Sequence, residues 1–91
     1  MNLRRCLVKY DKENGRMLEE YELRDIELDE LQMLFGETPA DPMYHSYDVS
    51  EIQRARLEEA ASARIDLANY DYCVDTDTVG ETEVEHLSDL N

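Results

Sequence analysis

The chain has 91 residues, of which 23 are acidic and nine are basic, so its formal net charge is −14. Residues 1–24 hold six cations against five acids, whereas residues 25–91 hold three cations against eighteen acids. A field of this sign repels nucleic acids and anionic membranes and attracts basic proteins. The length allows one domain, and no stretch approaches the roughly 20 apolar residues of a membrane span. We therefore expect a cytoplasmic protein that binds neither nucleic acid nor membrane directly.

The first quarter of the chain predicts a β-hairpin. Residues 3–10 form a β-type run, with Cys6, Val8 and Tyr10 on one face and Leu3, Arg5 and Leu7 on the other. Residues 16–23 alternate with the period of two that is typical of a strand. The intervening residues 11–15 end in Asn-Gly, a pair suited to a tight turn.

A short helix is predicted over residues 28–35, because its apolar side chains recur at helical spacing. Acidic residues lie at its start, which is the positive end of the helix dipole. Gly36 is placed to end the helix in a left-handed conformation. Residues 37–49 contain two prolines and no period, so we expect an ordered loop there.

Ser50 and Gln53 have the spacing of a capping box, which predicts a second helix over residues 51–61. The side chains expected on its inward face are Ile52, Leu57, Ala60 and Ala61.

Residues 70–76 alternate again and predict a third strand. The element order β-β-α-α-β predicts an α+β fold, in which two helices pack on one face of a small antiparallel-rich sheet. We assign residues 1–76 to this single domain and residues 77–91 to an acidic, mobile C-terminal tail. Such a sheet has uncovered edges, to which another chain can add a strand.

The sequence holds no convincing catalytic or metal-binding pattern. Cys6 and Cys73 fall in separate predicted strands without CxxC spacing, so we expect small buried thiols. Residues 75–86 copy part of a calcium loop, but valine and histidine occupy two of its ligand positions. Residues 41–48 bring acid, imidazole and hydroxyl groups together without the turn that aims a nucleophile. We therefore expect no enzymatic activity, no metal and no cofactor.

The acidic residues are the remaining candidates for function, although a surface that only confers solubility stays possible. Glu58 and Glu59 lie near the negative end of their predicted helix, where cations are preferred. Such a local conflict suggests that an external cation compensates it. Tyrosines in the loop are typical interface anchors. The expected partner-binding residues are Asp41, Tyr44, Tyr47, Asp48, Glu51, Asp71, Asp75 and Asp77.

The turn of the opening hairpin reads Asp-Lys-Glu-Asn-Gly at residues 11–15. Residues 31–36 then read Leu-Gln-Met-Leu-Phe-Gly, and they are followed by Asp-Pro-Met-Tyr at residues 41–44 and by Tyr47. In these motifs the chain resembles a family of small acidic bacterial domains encoded beside polymorphic toxins. That family includes immunity proteins of contact-dependent growth inhibition (CDI) systems. The resemblance spans about residues 3–76 and supplies no catalytic residue.

The resemblance implies a cytoplasmic immunity protein that binds one cognate toxin domain in a one-to-one complex. The expected toxin is a basic nuclease that cleaves RNA, including tRNA, because such an enzyme holds phosphates with Lys and Arg. Acidic side chains would then occlude the toxin electrostatically. The alternative is a nucleic-acid mimic that inhibits a DNA-binding or restriction protein.

Overall fold

A computed structural model describes residues 2–79 and the side chains of residues 3–77. Within these residues the elements are β1 (Asn2–Asp11), β2 (Met17–Glu22), α1 (Leu28–Phe35), β3 (Tyr47–Asp48), α2 (Glu51–Ala61) and β4 (Tyr70–Val79). The strands form one antiparallel sheet in the order β2-β1-β4-β3. The predicted α+β fold is therefore confirmed. Neither described helix is long and apolar enough to cross a membrane.

The predicted hairpin is formed by β1 and β2. Gly15 has a φ of 71°, the left-handed conformation that the turn requires. Asp11 organises the turn, because its Oδ1 accepts the backbone N–H groups of Glu13 at 2.8 Å and Asn14 at 3.3 Å. The register shifts by one residue between Lys9 and Tyr10, so the two strands are not paired uniformly.

Both helices begin and end where the sequence predicts. Gly36 ends α1 with a φ of 71°, and its N–H bonds back to the carbonyls of the last turn. The capping box at the start of α2 forms, with Gln53 Oε1 accepting the Ser50 N–H at 2.8 Å. The Gln53 side chain also donates to the Leu34 carbonyl at 3.2 Å. This bond joins the start of α2 to the end of α1.

The expectation that Ile52 faces inward is wrong. Its side chain is 80% exposed, and Gln53 is buried instead. The capping box explains the difference, because it turns Gln53 toward α1 and sets the buried positions at Gln53, Leu57 and Ala60. These positions follow a helical period that excludes Ile52.

The sheet has one strand more than the sequence predicts. Tyr47 and Asp48 form β3, which pairs with Val74 and Cys73 of β4. Two residues are too short to produce a detectable period. β4 also extends to Val79, beyond the expected end at Thr76, because β1 pairs with it along ten residues. The remaining residues of the expected tail, 80–91, lie outside the described part of the chain.

The core lies between the helices and one face of the sheet. Leu7 of β1 and Tyr72 and Val74 of β4 belong to the same buried cluster as Leu31 of α1 and Leu57 of α2. Burying such side chains contributes about 1.5–3 kcal/mol each. Both helices therefore pack on this face, as predicted.

A polar contact between the helices accompanies this packing. The Arg56 guanidinium of α2 donates to both carboxylate oxygens of Glu30 in α1 and to the Asp25 carbonyl at 2.6 Å. Hydrogen bonding to Arg56 lowers the pKa of Glu30. The ionised form of Glu30 is thus favoured in the fold, and its contribution is lost as the pH falls through that lowered pKa.

Glu58 has a structural partner near the end of α2, contrary to our expectation that its charge lacks a local function. Its Oε2 accepts the backbone N–H of Ile65 at 2.8 Å and lies 3.4 Å from Arg54 Nη1. Glu59, by contrast, is exposed and lies 3.3 Å from Arg56 Nη1. Glu58 therefore fixes the connection from α2 toward β4.

Replacing Glu58 by Ala should lower the free energy of unfolding by about 1 kcal/mol, because the Ile65 N–H loses its acceptor. Glu59→Ala is the matched control and should change it by less than about 0.5 kcal/mol. Urea unfolding followed by circular dichroism measures both. Equal effects of the two substitutions would contradict the role assigned to Glu58.

Candidate partner interface on the acidic sheet face

The face of the sheet opposite the helices carries most of the expected recognition residues. Leu7, Tyr72 and Val74 point toward the helices, so their sequence neighbours point to the other side. We call this other side the open face. Its described side chains include Arg4, Cys6, Val8 and Tyr10 of β1, Glu20 and Glu22 of β2, Asp48 of β3, and Asp71, Cys73, Asp75 and Asp77 of β4.

Acidic side chains surround a small apolar centre on the open face. Cys6 pairs with Glu22 on one side and Asp75 on the other, and Val8 pairs with Glu20 and Cys73. Cys6 and Val8 are each only 1% exposed, although the described helices lie on the opposite face. The acids around this centre are held on a regular framework of paired strands.

Two of the open-face acids are paired with cations from the start of the chain. Asp77 Oδ2 lies 3.3 Å from Arg4 Nη2, and Asp71 Oδ1 lies 2.8 Å from Lys12 Nζ. Both pairs are substantially exposed, and such pairs contribute little to stability. They partly neutralise the face without removing its negative character.

Asp48 and Asp75 have neutral partners. Asp75 accepts hydrogen bonds from the Ser46 hydroxyl and from the Tyr10 hydroxyl, the latter at 3.4 Å. Asp48 Oδ1 lies 3.4 Å from Cys73 Sγ. Within residues 3–77, no basic side chain lies within ion-pair distance of either aspartate. Both carboxylates are thus oriented while their charges remain uncompensated locally.

A shallow depression of about 420 Å³ lies at one end of the open face. Tyr10, Asp48, Asp71 and Cys73 are among its lining residues. It combines two exposed carboxylates with a half-buried aromatic ring, which suits a cationic side chain.

The two thiols are free and of low reactivity. Burial raises the pKa of both Cys6 and Cys73 from 9.0 to about 11. Both thiols are therefore protonated near neutral pH and are weak nucleophiles. Cys6 is buried as expected, whereas Cys73 is only half-buried because it lies beside the two-residue strand β3.

Cys6, Glu20 and Asp77 bring potential metal-ligand atoms within 4.8 Å of one another. The Arg4 guanidinium donates to Asp77 at 3.3 Å, so this carboxylate already has a partner within the chain. We treat Glu20 and Asp77 as part of the acidic face. Asp75 and Asp77, considered above as calcium ligands, lie in strand β4.

The remaining expected recognition residues lie elsewhere, and two of them have internal roles. Asp41 Oδ1 accepts the Met43 N–H at 2.8 Å, and its Oδ2 accepts the Tyr47 hydroxyl at 3.1 Å. The Tyr47 ring packs against Phe35 with centroids 5.6 Å apart. The buried Gln32 side chain donates to the Asp41 carbonyl at 2.7 Å. These bonds define the ordered loop that the prolines predict.

Tyr44 and Glu51 are accessible but do not belong to the open face. Tyr44 is 58% exposed in the loop. Glu51 begins α2 and lies 2.9 Å from Arg54 Nε. The structure thus brings together Asp48, Asp71 and Asp75 with Asp77, and it places the other four expected residues outside this group.

The sequence did not predict that Glu20 and Glu22 share a face with the acids of β4. Their alternation with Glu19 and Tyr21 indicates a strand face, but only the strand order shows that this face continues into the acids of β4. The hairpin alone was not enough to reveal that connection.

The chain belongs to the family described as domain of unknown function DUF7683, whose profile matches residues 4–75. That match includes the hairpin, both helices, β3 and most of β4. No curated protein matches the chain.

Asp41→Ala should lower the midpoint of thermal unfolding, because the Met43 N–H and the Tyr47 hydroxyl both lose their acceptor. Asp48→Ala is the matched control, since Asp48 is exposed and bonds only weakly to a thiol. The control should leave the midpoint nearly unchanged. Differential scanning calorimetry at neutral pH measures both midpoints. A larger fall in the midpoint for Asp48→Ala than for Asp41→Ala would contradict the structural role assigned to Asp41.

Proposed function

We propose that this protein is an immunity protein that neutralises a cognate bacterial toxin in the cytoplasm of the producing cell. The observation that supports this proposal most strongly is the open face, where acids from β2, β3 and β4 lie on one surface. This surface has the opposite charge to the phosphate-binding cleft of a nuclease. The expected partner is a basic domain that cleaves RNA, including tRNA, bound one to one.

Long-range attraction supplies the first step of such binding. The chain carries a net charge of −14, and complementary fields raise association rates by steering the encounter. Asp48 and Asp75 lack a basic partner among the described residues, so their charges are available to the toxin. Arg side chains of the toxin can then form bidentate pairs with these carboxylates.

Rigid placement of the acids supports inhibition. The open-face acids are attached to paired strands, and Asp75 is additionally held by Tyr10 and Ser46. A surface that is already ordered loses less conformational entropy on binding. The toxin cleft would therefore meet a fixed arrangement of charges that blocks access of its phosphate substrate.

One observation favours the alternative, a nucleic-acid mimic that inhibits a DNA-binding or restriction protein. Asp71, Asp75 and Asp77 lie on one face of β4, with Cys73 between the first two. Asp75 and Asp77 are two residues apart, a separation of about 6.8 Å along a strand. A line of carboxylates on one strand resembles the charges of a phosphate backbone. Such a mimic should bind several unrelated basic proteins with steep salt dependence, whereas an immunity protein should bind one toxin tightly at moderate salt.

The double substitution Asp48→Lys and Asp71→Lys should slow association with the basic toxin domain encoded beside this protein by about tenfold or more at low salt. The control, Asp29→Lys with Glu59→Lys, makes the same change in net charge on the helices. It should slow association much less, because these residues lie away from the open face. Stopped-flow fluorescence at low and high salt measures both rates.

Equal slowing by both double variants would contradict recognition by the open face and would favour a general charge effect. Failure of the unmodified protein to bind the toxin domain would contradict the immunity function itself. Histones serve as unrelated basic probes, and equally tight binding to them would favour the mimic.

A further inference from the structure

The outer edge of β2 is open along its length. β2 is the terminal strand in the order β2-β1-β4-β3, and no segment of residues 2–79 pairs with its outer side. Five of its six residues are exposed, including Met17 at 60% and Leu18 at 45%. An open edge of this kind presents unpaired backbone groups to another strand.

The pairing of the hairpin identifies which backbone groups point outward. Leu23 N–H donates to the Arg5 carbonyl at 2.9 Å, and the same register pairs Leu7 with Tyr21. Hydrogen-bonded and non-hydrogen-bonded pairs alternate in an antiparallel ladder. The backbone N–H and C=O groups of Glu20 and Glu22 therefore point away from β1, toward the free edge.

The side chains of this edge select the kind of strand that can bind. Proteins often protect edges with lysine or proline, whereas β2 contains neither and has Glu19, Glu20 and Glu22. A second copy of the chain would place glutamates near glutamates, which is unfavourable. A strand with Lys or Arg would instead place opposite charges across the new pair.

We propose that a strand of the basic partner adds to the free edge of β2 and places Lys or Arg side chains beside Glu20 and Glu22. Main-chain hydrogen bonds would hold this strand, while the charge pairs would select its sequence. Because Glu20 and Glu22 belong to the open face, the added strand would extend that face. The inference rests on the proposed function for the existence of the partner.

Substitution Glu20→Pro tests the backbone contribution. Proline removes the outward N–H and breaks no bond to β1, so an edge strand tolerates it. The matched control Glu20→Thr removes the same charge, retains the N–H and favours a strand. We expect Glu20→Pro to raise the dissociation constant for the neighbouring toxin domain at least tenfold above that of Glu20→Thr. Surface plasmon resonance measures both, and the difference should lie mainly in the dissociation rate.

Hydrogen exchange of the unmodified protein provides a measurement that does not depend on folding of the proline variant. The amides of Glu20 and Glu22 should exchange rapidly in the free protein and become at least tenfold slower in the toxin complex. Unchanged exchange in the complex, or equal affinity of the two folded variants, would overturn the edge pairing while leaving the immunity function intact.

Two other outcomes would contradict the proposal in different ways. If the unmodified protein does not bind the toxin domain, the proposed function fails and the edge pairing fails with it. If the protein alone is a dimer by light scattering and its Glu20 amide is already protected, the occupant is a second copy and the inference is overturned.

Discussion

The pairing of β1 with β4 is the interaction on which the rest of the structure depends. These strands pair over ten residues, from Asn2 with Val79 to Asp11 with Tyr70, and so join the two ends of the described chain. On one face the pairing places Leu7 beside Val74 in the core, and on the other it places Cys6 beside Asp75. Core and acidic face are therefore two sides of one ladder. Because its partners are far apart in sequence, their closure carries a substantial entropic cost.

The same pairing determines where the unevenly distributed charges of the sequence lie in the fold. Arg4, near the start of β1, and Lys12, in the turn just after β1, lie next to Asp77 and Asp71 of β4. The slightly basic start of the chain thus contacts its acidic remainder. Exposed pairs of this kind are weak, and the overall excess of acid remains. The cations adjust the charge of the open face, whereas the apolar core supplies the stability.

Features determined by neighbours in sequence were predictable. The bounds of α1 and α2 follow from a helical period, from Gly36 and from the Ser50 capping box. The outward position of Ile52 was not predicted, because it depends on Gln53 reaching the Leu34 carbonyl across two helices. The strand β3 contains only two residues, so no period could reveal it. Local patterns define elements, but they do not define contacts between them.

The candidate interface was also predictable only within single elements, and not where it depends on contacts between strands. Alternation along β4 correctly grouped Asp71 with Asp75, but the addition of Glu20 and Glu22 required the strand order. Asp41 carries the charge of a recognition residue, yet its bonds to Met43 and Tyr47 give it a role within the loop. Composition alone cannot distinguish an acid that binds a partner from one that binds its own backbone.

The most direct test of the account is nuclear magnetic resonance mapping of the protein with the basic toxin domain that the proposed function requires as its partner. We predict that amide shifts change most at Asp48, Asp71 and Asp75 and at Glu20 and Glu22, while the solvent-facing residues Met33 and Glu59 of the helices change little. Shifts concentrated on the helices, with the strands unaffected, would contradict recognition by the open face.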